Sequence, residues 1–544
     1  MKQFKHLVYL LVGLAFLGSC ETTELDLTQN PNALDPSQAD ANFFLNSIQL
    51  EFAYWVHYMG HRGGELVRIN YMNGRNYAQV NDPDDWDYFW RQAYTSIMED
   101  IRLMNILADE SSLNFHKGIG KVIQAYIALT LVDYFGDVPY SEALKGSEDI
   151  LDPGLDSGAD VYQAALALLD GAVQDFGAGG SAPGTDFFYN GNAAQWIKAA
   201  NSIKKKALLN MGDYGGYNAI TNYITDAADD FQFGWGTSEA TPDTRHPYYG
   251  GERSDSNEYN VDRSNYTSTG GGEYMSNWLM NKMLNGHNGL KDPRMVYYFY
   301  RQVAATPGFG ADPDEETLEC SLPGYINPYP AGVTFCGLPD GYWGRDHGND
   351  NGIPPDGFLR TLRGVYPAGG TFDDGTFEGQ VNGDGLGGEG ITPILISSWM
   401  HFMNAEVAYR TGGDPYTETL MAMEQALQKT DDVGGPALDA TVMTNYLNAF
   451  SLAWNAAAST DAKMDLWATE YFIALTGNGI DGYNSYRRNG FPRDLQPNIE
   501  PSPGNFPLSQ FYPANAASTN SNVKQKTDLT GRVFWNTSGP SNLK

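Results

Sequence analysis

Residues Lys121 to Phe135 (KVIQAYIALTLVDYF) are apolar almost all round when placed on a helix. A helix without a polar face has to lie at the centre of a core, surrounded by other elements. The rest of the chain supplies them. Ala39 to Met59 lacks Gly and Pro and carries Phe43, Phe44, Ile48, Phe52 and Trp55 at helical intervals, with Gly60 expected to end it. Asp87–Ala108, Asp160–Phe176 and Ala193–Met211 each present one apolar stripe, and Lys204-Lys205-Lys206 reads as a solvated face of the last. Later helices fit Ser276–Leu284, Ile394–Arg410, Tyr416–Lys429, Asp439–Trp454 and Ala462–Leu475. Asp414-Pro415 supplies an N-cap and a first-turn proline, and Gly477 suits the residue after a helix end. The expected fold class is mainly α, with little β. Adjacent helix pairs of this length resemble a tetratricopeptide-like array, although no strict 34-residue repeat is found.

Between the pairs lie Thr237–Glu273 and Thr306–Gly390, rich in Gly, Asp, Asn, Pro and Tyr. Loops of this length in a folded body are functional or disordered, and their tyrosines favour order. Charge narrows the function. With 34 Lys+Arg against 66 Asp+Glu the chain carries −32, which excludes a general nucleic-acid binder, because polyanion binding needs a basic surface.

The first nineteen residues form a leader: Lys2 and Lys5, then an apolar stretch from Leu7 to Leu17. That stretch is too short to span a bilayer comfortably. It ends in Leu17-Gly18-Ser19-Cys20, which looks like a bacterial lipobox with Cys20 as the lipidated residue. Cleavage takes the charge from −32 to about −34. Residues 20–36 then read as a lipidated tether. Residues 37–544 read as one domain, with helix pairs mainly in 37–230 and 394–476 and a loop-rich insert over 237–390. Cys320 and Cys336 share one loop-like segment. A disulfide there would close the loop with a stabilisation of about 3 kcal/mol. A metal pair is the alternative, although no nearby His or Cys has zinc-ligand spacing.

Catalytic motifs are scarce. Neither G-x-S-x-G nor H-E-x-x-H occurs. His57 and His61 are four apart and fit the C-terminal end of the first helix, where a cation complements the dipole. The G-x-G-x-x-G run at Gly383–Gly388 lacks the flanking strand and helix of a dinucleotide site. Two acidic loops, one with Asp346 and Asp350 and the other with Asp373 and Asp384, are either calcium sites or solvated turns. No other cofactor is implied. A carboxylate pair for glycoside hydrolysis is a spatial feature that sequence spacing does not reveal.

Aromatic loops give the positive signal. Sugar rings stack their C–H faces on Trp or Tyr while amides, hydroxyls and carboxylates bind the rim. Tyr71, Arg75, Trp86, Tyr248, Tyr249, Tyr266 and Trp343 are the candidate ligand contacts, with core packing as the competing role; for Trp90, inside a helix, packing is preferred.

Several blocks occur in a telling order after the lipobox. They are ELDLTQNPNALDPSQAD (Glu24–Asp40), AYIALTLVDYFGDVPYSEALKG (Ala125–Gly146), WIKAANSIKKKALLNM (Trp196–Met211) and LKDPRMVYYF (Leu290–Phe299). WATEYFIALTGNGIDGYNSYRRNGFPRDL (Trp467–Leu495) and RVFWNT (Arg532–Thr537) follow. In this order they resemble the SusD/RagB family of outer-membrane nutrient-binding lipoproteins of Bacteroidota, particularly its SusD-like subfamily. The resemblance implies tetratricopeptide-like helix pairs as scaffold and an irregular part carrying the ligand site. It also implies a nonenzymatic, lipid-anchored protein exposed at the outer membrane. Such a protein captures oligosaccharide and acts as a lid on a SusC-like TonB-dependent transporter. A peptide-binding lid of the same transporter class and a surface glycoside hydrolase are the alternatives.

Overall fold

Side-chain caps set the start of many helices. In the computed structural model Ser157 Oγ accepts from Asp160 N ahead of Gly158–Gly177, and Asn192 Oδ1 accepts from Ala194 and Gln195 ahead of Ala193–Met211. Ser276, Asp439 and Ser459 do the same for Asn277–Asn285, Ala440–Ala456 and Thr460–Ala474. The structure describes residues 40–78, 80–240, 243–249, 274–306, 338–348, 360–380, 383–500, 502–541 and 543–544.

The chain is mainly α, with 52% helix and 4% strand among the described residues. In chain order the elements used below are α1 (Ala41–Leu66), α2 (Asp87–Arg91), a π-helical turn (Gln92–Met98), α3 (Glu99–Ser111) and α4 (Asn114–Phe135). Then come α5 (Gly158–Gly177), α6 (Ala193–Met211), α7 (Tyr214–Ala219), β1 (Phe231–Gly234), α8 (Asn277–Asn285), α9 (Met295–Tyr298) and β2 (Phe299–Tyr300). The remainder is β3 (Leu362–Arg363), β4 (Ile391–Leu395), α10 (Ser397–Arg410), α11 (Tyr416–Gln428), α12 (Ala440–Ala456), α13 (Thr460–Ala474), α14 (Ile480–Asn489) and α15 (Ala514–Thr519). Residues Ala41–Lys544 form one compact unit. Consecutive helices pack as pairs: α1 with α3, α4 with α5, α5 with α6, and α10 with α11. As expected from its all-round apolarity, α4 is buried along nearly its whole length. No helix among the described residues is long and apolar enough to cross a membrane.

Four local expectations need correction. Gly60 does not end the first helix, which continues through Gly63 and Gly64 to Leu66. Its glycines face α14 and its preceding turn. A Cβ on Gly60 would lie 2.8 Å from Asn478 Oδ1, and one on Gly63 2.7 Å from the Gly479 carbonyl oxygen. Here glycine permits close helix approach. Ile394 does not open a helix, because Ile391–Leu395 pairs antiparallel with β1, Phe231 facing Leu395 and Gly234 facing Ile391. Helix α10 begins after it, with Ser397 N donating to Asp230 Oδ1 at 2.7 Å. The lysine run is not a solvated face. Lys206 is buried and pairs with Asp481 at 2.8 Å, tying α6 to α14. Lys205 is also buried, its Nζ between the rings of Tyr217 (3.8 Å) and Tyr223 (4.1 Å). Finally, His57 and His61 lie within α1, and His57 is buried.

The insert is fixed to the helices by a buried polar centre. Glu470 on α13 accepts from Arg294 (2.5 Å), Tyr446 (2.8 Å) and the ring of His287 (2.6 Å). Asp292 holds the other side of the same guanidinium. Directly after this centre, β2 pairs with β3, setting Phe299 opposite Arg363.

Candidate functional site

The chain leaves α1 through Arg68, a left-handed residue with φ of 64°. Arg68 is buried and holds the turn: Nε donates to the Gln496 carbonyl (2.8 Å), and Nη2 donates to the Tyr77 hydroxyl (2.6 Å). Asn70 N returns to the Gly64 carbonyl at 3.0 Å, so the loop 67–77 folds back on the helix end. Its tip stays accessible, with Asn73 exposed and Arg75 half-buried.

Around this loop several segments converge. Asn70 Nδ2 donates to the Tyr248 hydroxyl (3.2 Å) and to the His61 carbonyl (3.2 Å), while its Oδ1 accepts from Arg363 Nη2 (3.1 Å). His61 Nδ1 lies 3.0 Å from the same Tyr248 hydroxyl. The Arg363 guanidinium lies over the Tyr248 ring at 3.6 Å, and Arg345 over the Tyr274 ring at 4.1 Å. Tyr71 meets Tyr274 edge-on, with centroids 6.1 Å apart, and Arg360 lies 5.3 Å from the Tyr274 ring. Trp343 and Thr361 are hydrogen-bonded in both directions, Trp343 N to Thr361 Oγ1 (2.8 Å) and Thr361 N to the Trp343 carbonyl (3.0 Å). The buried Trp343 indole N–H has no hydrogen-bond partner among the described residues.

Burial and the neighbouring arginines set the ionisation at this cluster. Burial alone would raise the Glu65 carboxyl, but Arg75, Arg62 and His61 hold it below the ordinary carboxylate value. Burial, helped by Arg363, lowers His246 to about 3. Burial also depresses His57, followed by His246, His61 and Arg363. Both imidazoles are neutral at physiological pH, so His57 is not the dipole-complementing cation expected of it. The result is a set of aromatic faces and planar guanidinium groups packed together, with Tyr71, Tyr248, Tyr274, Trp343, Arg345 and Arg363 all buried.

Five candidate contacts therefore belong to one neighbourhood: Tyr71, Arg75, Tyr248, Tyr249 and Trp343. Tyr249 reaches it through Leu362, and its hydroxyl donates to the Asp384 carbonyl at 2.6 Å. Trp86 does not belong. It is 1% exposed and packs edge-on against Tyr134 (5.7 Å) and Phe135 (5.3 Å), so it is a core residue. Cys20, Tyr266, Cys320, Cys336 and Asp350 lie outside the described residues. The acids considered for calcium have other partners: Asp346 Oδ1 accepts from Asn277 (2.7 Å), and Asp373 pairs with Arg301 (2.6 Å). Asp384 meets the cluster through its backbone. Among the described residues no group of three His, Cys, Asp or Glu could hold a metal ion.

Arg345, Arg360, Arg363 and Tyr274 are the members that sequence reasoning missed. The signal available was the pair of arginines in RTLRG (Arg360–Gly364), inside the tyrosine-containing loop Thr306–Gly390.

Comparison with known proteins agrees with this architecture. Residues 33–311, just over half of the chain, match the SusD-like family described as starch-binding and associating with the outer membrane. No curated protein sequence matches. Among solved structures, a chitin-binding protein is 18% identical with a TM-score of 0.64, over 92% of this chain and 100% of its own. A SusD homologue from Bacteroides fragilis is 16% identical with a TM-score of 0.61, over 92% and 99%. A chitin-binding SusD homologue from Flavobacterium johnsoniae is 16% identical with a TM-score of 0.59, over 92% and 99%. At these identities the structural likeness speaks for the fold, and the family match adds the lineage. The chain belongs to the SusD/RagB family of Bacteroidota, in its SusD-like branch.

Proposed function

We propose that this protein is a nonenzymatic, cell-surface binding protein for oligosaccharide that acts as a lid on a SusC-like TonB-dependent transporter. The convergence of Tyr71, Tyr248, Tyr274 and Trp343 with Arg75, Arg345 and Arg363 on loops anchored to rigid helices carries the reading. Aromatic faces bind the apolar side of a sugar ring, and guanidinium forks bind its hydroxyls. The family description and the chitin-binding relatives point to the same ligand class. A lid needs moderate affinity and release. The cluster suits this, since its aromatic rings and guanidinium groups act by stacking and hydrogen bonding.

The leader ending at Cys20 supports attachment to the outer membrane by lipid, with the body facing outward. Calorimetric titration of residues 20–544 with neutral oligosaccharides and with peptides tests the ligand. Saturable oligosaccharide binding is expected; peptide binding without a glycan signal would assign the peptide lid instead, and product formation from a polysaccharide would assign a hydrolase. Purification of the tagged protein from membranes is expected to recover a large TonB-dependent barrel, and its consistent absence would count against the lid. Cys20→Ala is expected to release the protein into the soluble fraction.

A further inference from the structure

Outside the loop cluster, a cleft of about 530 Å³ opens between the α2–π-turn segment and α15. We propose that it is a second binding site, for a short stretch of neutral oligosaccharide. The proposal rests on the glycan-binding reading of the protein and shares no residue with the cluster.

The walls are aromatic and preorganised. Tyr88, Trp90 and Tyr94 line one side. Trp90 is wedged against Phe135 (5.3 Å) and Tyr94 (5.0 Å), and the Tyr94 hydroxyl donates to the Pro139 carbonyl at 2.7 Å. Tyr88 is 38% exposed, with the Arg91 guanidinium 5.6 Å from its ring. The ring pair Trp90 and Tyr94 straddles the entry into the π-helical turn Gln92–Met98. Such turns are uncommon and concentrate at functional sites.

The rim is polar and close to electrically balanced. Arg91 is exposed and makes no ion pair among the described residues, in a chain that carries −32. Asp84 and Asp87 lie on the same cleft, and Asp87 Oδ1 accepts from Asn515 N at 2.8 Å, joining α15 to α2. One cation facing two carboxylates disfavours an anionic ligand. Hydroxyl groups, which donate to carboxylates and accept from guanidinium and amide N–H, fit all of these groups together. A volume of this size accommodates a few sugar units stacked on Tyr88 and Trp90.

The test is calorimetric titration of residues 20–544 with linear hexasaccharides of α-1,4-glucose and of β-1,4-N-acetylglucosamine. Two classes of site are expected. Tyr88→Ala and Arg91→Ala should each weaken one class about tenfold and leave the other unchanged, while Arg363→Ala should do the reverse. Both cleft residues are exposed, so unchanged far-UV circular dichroism checks that the variants fold. A single class lost with Arg363→Ala and indifferent to Tyr88→Ala and Arg91→Ala overturns the cleft and keeps the loop cluster. A single class lost with the cleft variants alone supports the cleft and displaces the cluster. Absence of binding for both sugars overturns the cleft and counts against the glycan reading with it.

Discussion

The buried centre at Glu470 holds the insert against the C-terminal helices, and its removal should be felt at the ligand loops. Glu470, Arg294 and Asp292 have no exposed side-chain surface. Burial on its own would raise the Glu470 carboxyl, yet the Arg294 guanidinium, with His287, overrides it and holds the group at about 2 instead of 4.5. That depression corresponds to about 3 kcal/mol of stability at neutral pH. Glu470→Ala leaves Arg294 paired with Asp292 but removes the acceptor that Arg294, Tyr446 and His287 share, stranding buried donors. Glu470→Ala is therefore expected to lower stability by about 3–4 kcal/mol, read from urea unfolding at pH 7. The sign with pH follows from a lowered carboxylate. Its contribution is complete above 4.5 and is lost as pH falls toward about 2. The wild-type protein should thus lose stability over that window, and the alanine variant should show a shallower slope there. Because β2 and β3 follow Arg294 in the same insert and carry Arg363, oligosaccharide affinity should fall as well. A loss below about 1 kcal/mol with an unchanged acid profile would refute the reasoning, since it would mean that the donors of Arg294 and His287 find other acceptors.

Three further outcomes follow from the same structure. His246, at about 3, and His57, also depressed, are basic groups buried neutral, so the unfolded chain takes up more protons below 6.5. Stability should fall as pH drops from 6.5 toward 3, and His246→Phe should flatten that slope in thermal unfolding; an identical slope rejects the neutral assignment. Gly479→Ala would put a Cβ 2.2 Å from Gly64 N, a backbone clash between the approach to α14 and α1, and should cost more than 3 kcal/mol or prevent folding. Normal unfolding of that variant would show that the two helices can separate. Arg363→Ala removes both the guanidinium over Tyr248 and the hydrogen bond to Asn70, and should weaken oligosaccharide binding about tenfold or more by calorimetry. Unaltered affinity would move the ligand elsewhere.

Much of the helical scaffold was legible because its signals are local. The stripes of Asp160–Phe176, Ala193–Met211 and Asp439–Trp454 act within one or two turns, and their helices start and stop close to expectation, whereas the helix read over Lys121–Phe135 begins earlier, at Asn114. Helix α14 was missed because IDGYNSYRRN is polar and contains Gly482, yet nearly all of it is buried. Its polar groups are satisfied by distant partners, such as Asn484 donating to Asp133 (2.7 Å) and Asp481 pairing with Lys206 (2.8 Å). No window of sequence contains both members of such pairs.

The same division holds at the site. By itself the sequence determined the helix class, the acidic and tyrosine-rich character, and the loops worth searching, because composition and periodicity are properties of neighbouring residues. Only tertiary structure decided that Trp86 packs in the core while Tyr71, Tyr248 and Trp343 share a cluster with Arg345 and Arg363. It also turned part of a lysine run into a buried ion pair at Lys206 and an aromatic cradle at Lys205, and a helix-breaking glycine into a helix contact. The physical reason is that burial, ion pairing and close approach depend on residues that are hundreds of positions apart in the chain and meet only when it is folded.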